Sequence, residues 1–242
     1  MSGFDLKFLG TGNGFCKSLT NTCAYYKEND KILIIDCGET VISKIIDNKL
    51  FNNVKDVYFV FTHTHSDHIG SLGSTIFYLY FIKKIRVNIV INDELLYKDD
   101  IITLLKIFGT TTEMFSIVNS SQIILSFNSV NKFEFLKNRH VSEVVSYAIK
   151  IIDNKNKSYY YTGDSCDYDL LKSIVKDKSL ARAYVDCSVC EREKTHLQIS
   201  KIIEIVPSSI RNKIYCMHFL SKEAIIVSIR NGFKVTTKRL NI

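Results

Sequence analysis

Proline is almost absent from this chain, with one in 242 residues, and glycine is modest at ten. No Pro- or Gly-rich linker can be built from so few, and no internal repeat, low-complexity tract or long like-charge block divides the sequence. The expectation is one domain spanning residues 1–242, long enough for a sizeable core. No apolar run approaches the ~18 residues that a membrane span needs. The longest candidate, Ile76 to Ile82, stops at Lys83 and Lys84. Met1 to Lys7 lacks a charged segment followed by an apolar one, so no signal peptide is read there and a cytoplasmic location is expected. The seven cysteines are odd in number and scattered, unlike a secreted disulfide framework. Cys187 and Cys190 form a lone C-x-x-C, a weak zinc signal without a second pair, and read as structural or incidental.

Acidic residues are outnumbered: lysine plus arginine exceed them by 32 − 25 = 7. A basic chain steers anionic substrates towards itself and disfavours a strongly cationic one. The same excess also fits a lysine-rich solvated face. Apolar residues at 46% and charged residues at 24% are ordinary for a soluble globular protein.

One stretch departs from this plain background: Thr62-His63-Thr64-His65-Ser66-Asp67-His68-Ile69-Gly70. Four strong metal-ligand side chains fall within six residues, directly after the apolar run Val57 to Phe61. Short, aromatic and β-branched, that run reads as a buried strand. The ligands then lie on the loop leaving a strand end, where a rigid scaffold can present them. In extended geometry His63 and His65 project to one side. Asp67 and His68 follow at the turn and can face a second ion, which suits a two-metal centre. The plain alternative is a coincidental polar loop.

The pattern His-x-His-x-Asp-His resembles the signature of the metallo-β-lactamase superfamily of dinuclear hydrolases. That resemblance runs from Leu6 to Val235 and implies an α/β fold, the αββα sandwich of two packed sheets flanked by helices. It also implies further ligands from a distant His, an Asp and a last His. Of the six histidines, three lie in the motif, while His140 and His218 fall where the remaining family histidines are expected. Asp164, in Tyr161-Thr162-Gly163-Asp164-Ser165, follows a strand-like run and fits the bridging carboxylate. By this resemblance His63, His65 and His140 hold one ion, Asp67, His68 and His218 hold the other, and Asp164 bridges. The expected cofactor is two divalent metal ions per chain, zinc first, with manganese or iron also suited to imidazole and carboxylate. Two dications lower the pKa of water far below its bulk value and polarise phosphoryl oxygens. Asp67 can orient the attacking water or accept its proton.

Departures from sister families narrow the substrate. True β-lactamases of the commonest type carry cysteine where Asp164 stands, and flavodiiron proteins carry glutamate where His65 stands. Glyoxalase-type thioesterases add a helical C-terminal domain, whereas 242 − 218 = 24 residues follow His218. His196, in Lys194-Thr195-His196-Leu197, resembles the extra histidine of ribonuclease Z-like phosphodiesterases, which stabilises or protonates the leaving group; a helix-capping or surface histidine is the alternative. Ribonuclease Z carries a long tRNA-gripping arm between the positions of His140 and Asp164, but 164 − 140 = 24 residues separate them here. A small phosphodiester is favoured over large RNA.

Within this branch, the Leu-Gly-Thr-Gly opening, Ile-Asp-Cys-Gly-Glu, His-Thr-His-Ser-Asp-His-Ile-Gly-Ser-Leu-Gly and the aromatic Ile-Phe-Tyr stretch resemble the phage anti-Pycsar phosphodiesterases and their bacterial relatives. The resemblance implies an enzyme that hydrolyses 3′,5′-cyclic mononucleotides, including cyclic CMP and cyclic UMP and extending to cyclic AMP and GMP. It also implies a homodimer, acting in the host cytoplasm where the copy is phage-encoded. Two alternatives belong to other classes: a ribonuclease Z-like endoribonuclease, and a non-catalytic domain that sequesters nucleotides.

Along the chain, Phe4 to Leu9 reads as a first strand running into the glycine-rich turn Gly10 to Gly14, a tight loop near the site that can also approach phosphate. Thr22–Lys27 and Lys31–Ile35 read as a hairpin ending at Asp36, which either supports a metal-binding histidine from behind or forms a turn. Helices are expected over Thr40–Leu50, Gly70–Ile82, Asp93–Phe108, Leu170–Lys176, Leu197–Val206 capped by Thr195, and Glu223–Arg230. Strands are expected over Lys55–Phe61, Val87–Ile91, Ile123–Phe127, Lys132–Leu136, Ser146–Ile152, Ser158–Thr162, Ala183–Asp186, Lys213–Met217 and Phe233–Thr237. Gly109 to Phe115 reads as a loop able to act as a lid. With the aromatic helix 76–82 it is expected at the homodimer contact, the partner helping to close the site.

Overall fold

Alternation along the strands decides the layering. In Ile32-Leu33-Ile34-Ile35 every residue is buried, yet Ile32 and Ile34 join one apolar cluster while Leu33 and Ile35 join another. A strand buried on both faces needs a sheet on one side and helices on the other. The computed structural model, which describes residues 4–190 and 192–236, has that arrangement twice. Sheet one runs β1 (Lys7–Gly10), β2 (Cys23–Glu28), β3 (Lys31–Ile35), β4 (Asp56–Val60), β5 (Val87–Val90) and β6 (Phe115–Val118), in that spatial order. Sheet two is ordered from β12 (Lys234–Val235) through β11 (Ile214–Met217), β10 (Leu180–Asp186), β9 (Ser158–Tyr161) and β8 (Ser146–Asp153) to β7 (Val130–Asn138).

Each half starts as an antiparallel meander and continues as parallel strands joined by helices. The sheets meet through Leu33, Ile35, Tyr58 and Val60 on one side and Ile149, Ile151, Tyr161 and Tyr184 on the other. Outside sheet one, Val41 and Ile45 of α1 (Val41–Asp47), Ile69 of α2 (Ser66–Ile69), Leu72 and Ile76 of α3 (Leu72–Phe77), and Ile101 and Leu105 of α4 (Lys98–Ile107) cover Ile32, Ile34, Val57 and Phe59. After α5 (Ser121–Ser126), the far face of sheet two is covered by Leu171 and Ile174 of α6 (Tyr168–Lys176). Ile199 and Ile202 of α7 (Ile199–Ile205) and Ala224 and Ile225 of α8 (Lys222–Arg230) complete that layer. This is the αββα sandwich, with the carboxyl ends of the central parallel strands opening at one edge, where such folds build their sites. Among the described residues no helix is long and apolar enough to cross a membrane.

Several expectations need correction. Ile123–Phe127 is not a strand: Ser121–Ser126 is helical, its start held by the Asn119 side chain accepting from the Ser121 N–H. A five-residue run with four apolar residues fits either state, and burial of Ile123 and Phe127, four apart, selects the helix. Gly70–Ile82 is interrupted: α2 starts earlier, within the motif, and α3 ends in a wide π-turn over Tyr78–Lys83. Thr195 does not cap α7, which starts at Ile199 after Gln198. Residues 197 and 199 instead bond back to Ser188. Phe115 opens β6, and the 109–115 loop precedes that strand, at the end of the sheet opposite the motif after β4, because β4, β5 and β6 are parallel. It is no lid for its own site. The last strand covers Lys234–Val235; its expected end at residue 237, like Met1 to residue 3 of the amino terminus, lies outside the described residues.

Candidate active site

The chain leaves β4 extended, so His63 and His65 turn to the same side, with His63 Nε2 and His65 Nδ1 3.0 Å apart. His140, after β7, brings its Nε2 to 3.3 Å from His65 Nδ1. Asp164 Oδ2 stands 3.8 Å from His63 Nε2 and 3.6 Å from His140 Nε2. The motif then enters α2, so Asp67 and His68 are helical residues rather than part of an open turn. His68 Nε2 lies 3.0 Å from Asp164 Oδ1, and His218 Nε2, after β11, lies 3.2 Å from both Asp164 Oδ1 and Asp67 Oδ2. Two groups result, each able to converge on one ion: His63, His65, His140 and Asp164, and Asp67, His68, Asp164 and His218. Asp164 belongs to both, as a bridging carboxylate does.

A surrounding layer orients these rings. Asp36 is fully buried and accepts from the Thr62 N–H (2.8 Å), the Thr62 hydroxyl and the Tyr161 hydroxyl (3.1 Å), while its Oδ2 sits 2.9 Å from His68 Nδ1. The Thr62 hydroxyl, donating to Asp36, leaves a lone pair for His63 Nδ1 at 3.0 Å. His140 Nδ1 donates to the Thr195 carbonyl (2.8 Å). With Nδ1 protonated in each case, Nε2 is the free atom aimed into the site. Asp36 both turns the chain and supports His68, so the two readings of its Asp-x-Gly context coexist. It adopts a left-handed φ of 63°, as His218 does at 61°. Each costs on the order of 1–3 kcal/mol for a residue with a Cβ, and such strain gathers at functional sites.

Gly163 (φ 59°) is squeezed against the Thr62 side chain, where a Cβ would overlap it, so the turn delivering Asp164 can pack flush on the motif. Gly14 likewise sits against Asp67. That puts the glycine-rich turn at the site, stitched by Phe219 N–H to the Thr11 carbonyl and Asn13 N–H to the Phe219 carbonyl.

The electrostatics show what the cluster lacks. Burial opposes charge on His68 and His218, yet Asp164 with Asp36 pulls the first well above its usual value, and Asp164 with Asp186 and Asp67 pushes the second up to about 10. Burial likewise opposes ionisation of Asp164, but His218 and His68 hold it well below the carboxylate range. His63 moves the other way, well down, through burial first and then His68. The His68 Nε2 and Asp164 Oδ1 atoms face each other, buried and without a hydrogen bond. Buried polar atoms are otherwise almost always paired. An imidazole nitrogen and a carboxylate oxygen left open towards one point are a fitting donor pair for a divalent cation, and the set of five imidazoles and two carboxylates suits zinc-class ions.

A cavity of about 440 Å³ opens over the cluster, lined by His65, Asp67, His140, Asp164, His196 and His218 among others. His196 is thus placed at the site and not on a helix cap. Its Nδ1 is 2.7 Å from Asp186 Oδ2, and although burial opposes it, Asp186 raises its pKa. Asp186 was not legible as a site residue. It ends β10, is fully buried, accepts from the Ser165 N–H (2.9 Å), and faces His218 Nδ1 at 3.4 Å, so one carboxylate holds both His196 and His218. The signal available was its place at a strand end ten residues before a histidine, parallel to that of Asp36. Cys187 is buried beneath the site and Cys190 is exposed, so the C-x-x-C pair does not share one environment.

Fold and site together define a metallo-β-lactamase-fold protein. The solved structure of the metallo-β-lactamase fold protein YhfI from Bacillus subtilis superposes with a TM-score of 0.68 over 97% of this chain and 95% of that one, at 17% identity. The family model described as anti-Pycsar protein Apyc1 matches residues 4–239, and the chain belongs to that family. Anti-Pycsar protein Apyc1 of Bacillus phage BSP38 is 23% identical over 231 residues, and that of Bacillus phage vB_BsuM-Goe3 is 26% identical over 236, each comparison covering 88% of both chains.

Proposed function

We propose that this protein is a metal-dependent phosphodiesterase that opens 3′,5′-cyclic mononucleotides to linear nucleotides, countering Pycsar antiviral signalling. The observation that carries the reading is the placing of His196, backed by Asp186, on the same cavity as the two-ion cluster. His63, His65, His140 and Asp164 would hold one divalent ion, and Asp67, His68, Asp164 and His218 the other, with zinc the expected metal. When bound, such ions activate water and polarise phosphoryl oxygen. Asp67 orients the attacking water and takes its proton. As water oxygen bonds to phosphorus, one P–O bond to the ribose breaks, and His196 protonates the departing oxygen. Asp186 keeps that ring protonated and turned.

Between His140 and Asp164 the chain contains only β8, β9 and their connections, with no arm to grip a large RNA. A cavity of about 440 Å³ is of the size that takes a small ligand. Incubation with cyclic CMP, UMP, AMP and GMP, resolved by chromatography, should yield linear nucleotides from all four. Survival of all four alongside cutting of pre-tRNA or single-stranded RNA would establish the nuclease reading instead; binding without turnover by metal-loaded protein would establish sequestration. A homodimer belongs to this reading, and two observations suit it: Phe81 and Ile82 are exposed, and the 109–115 loop, remote from its own site, is available to a partner's. Sedimentation at micromolar concentration should give twice the chain mass, and a monomer would overturn this.

A further inference from the structure

Phe15 is the most exposed large apolar side chain among the described residues, at 87%, and it stands on the wall of the active-site cavity. Single exposed apolar residues are ordinary, so exposure alone says nothing. Its setting says more. The backbone leading into it is anchored: the Phe15 N–H donates to Asn13 Oδ1 (3.0 Å), the Asn13 N–H donates to the carbonyl of Phe219 next to His218 (3.1 Å), and Gly14 lies against Asp67. An exposed aromatic ring therefore projects from an anchored backbone, one residue from the glycine that packs on Asp67. Apart from Val141, the other side chains lining that cavity are polar or ionisable.

We infer that Phe15 is the platform on which the nucleobase of the substrate stacks while its phosphate lies at the metal cluster. The inference rests on the nucleotide reading above and deepens it. Metal ligands, Asp67 and His196 are all concerned with the phosphodiester, and none of them needs a base. A nucleobase presents a flat π-face of low polarity, and an aromatic side chain at the lip of a polar cavity is the complement to it. Stacking tolerates every base because every base has such a face. Selection on this wall would separate nucleotides from base-less phosphodiesters rather than one base from another. Glu39, exposed on the same cavity, is a candidate to modulate that tolerance through exocyclic amino groups.

The chain has no tryptophan, so Phe15→Trp creates a single fluorescent reporter at the proposed platform. Its emission should be quenched saturably by CMP, UMP, AMP and GMP in metal-loaded protein, and not by ribose 5-phosphate or inorganic phosphate. In kinetics, the wild type should favour the four cyclic nucleotides over the 3′,5′-cyclic phosphate of 1-deoxyribose, which lacks a base. Phe15→Ala should collapse that preference through KM by roughly 5- to 150-fold, the scale of base–aromatic stacking, and Phe15→Trp should restore it. Quenching by phosphate alone, or a preference that survives Phe15→Ala, overturns the platform while leaving the phosphodiesterase intact. A wild type inactive on all four nucleotides overturns the phosphodiesterase reading and the platform with it. Retained metal content and thermal transition in Phe15→Ala separate a stacking loss from misfolding.

Discussion

At the scale of single residues, the site consists of ligands and of the groups that aim them. His196 is the test of that division, because it also closes a third group with Asp164, Asp186 and His218 within ligand reach of one another. If it protonates the leaving group, His196→Ala should cost roughly 10²–10⁴ in kcat with metal content unchanged. Loss of one ion would make it a ligand, and an unchanged rate would make it structural. The residues that gather in the cluster were legible because histidine is scarce here and each one carries a chemical signature. Asp36 was half legible and Asp186 not at all. A buried carboxylate behind a histidine looks, in sequence, like any aspartate ending a strand, and only the parallel pairing of β10 with β11, which sets Asp186 opposite Met217, shows that it faces two rings.

At the scale of elements, strands flanked by turn residues were readable, whereas short apolar segments were not. The hairpin β2–β3 and, β6 apart, the strands after it fell where alternation and β-branched runs placed them. Residues 123–127 went wrong because so short a run, apolar but for Ser126, carries no period, and β6 was missed because its burial is slight: none of its four residues is fully buried. The same region offers a check on how the two halves are joined. Glu28, at the tip of the β2–β3 hairpin, accepts from the Asn128 N–H (2.8 Å), the Ser129 N–H (3.2 Å) and the Tyr26 hydroxyl (2.9 Å), clamping sheet one to the start of sheet two. Partial burial opposes its ionisation, but the Ser129 and Tyr26 hydroxyls and these amides outweigh it and lower its pKa. A depressed carboxylate pKa contributes stability that is present above the unfolded value, near ~4.3, and lost as pH falls through the folded one. Glu28→Gln should therefore destabilise by about 1–2 kcal/mol at pH 7, given hydrogen bonds to a charged but solvent-screened group. The gap between wild type and variant in urea unfolding should close as pH falls below ~4. A gap that persists unchanged at low pH would place the effect in packing.

At the scale of the whole molecule, the candidate ligands straddle the fold. His63, His65, Asp67 and His68 come from the sheet-one half, and His140, Asp164 and His218 from the sheet-two half. Each candidate ion would therefore draw ligands from both halves and tie the two sheets at the edge where their strands end. Between them His68 Nε2 and Asp164 Oδ1 are buried and face only each other, at 3.0 Å, so a cation that both can bind has a ready place. Binding to the folded state alone stabilises by RT ln(1 + [L]/Kd), about 2.7 kcal/mol per site at one hundred times Kd. For a chain of this size that is a rise in Tm on the order of 5–10 °C per site. Purified protein should carry close to two divalent ions per chain by elemental analysis, and stripping with a chelator should lower Tm by that order. Replacing His218 by Ala should leave about one ion and remove part of the rise, because the His63–His65–His140–Asp164 group stays whole. Folded protein that takes up a single ion under saturating zinc would sink the two-ion site. Two ions without any change in Tm would mean that the unfolded chain binds them as well as the folded one does.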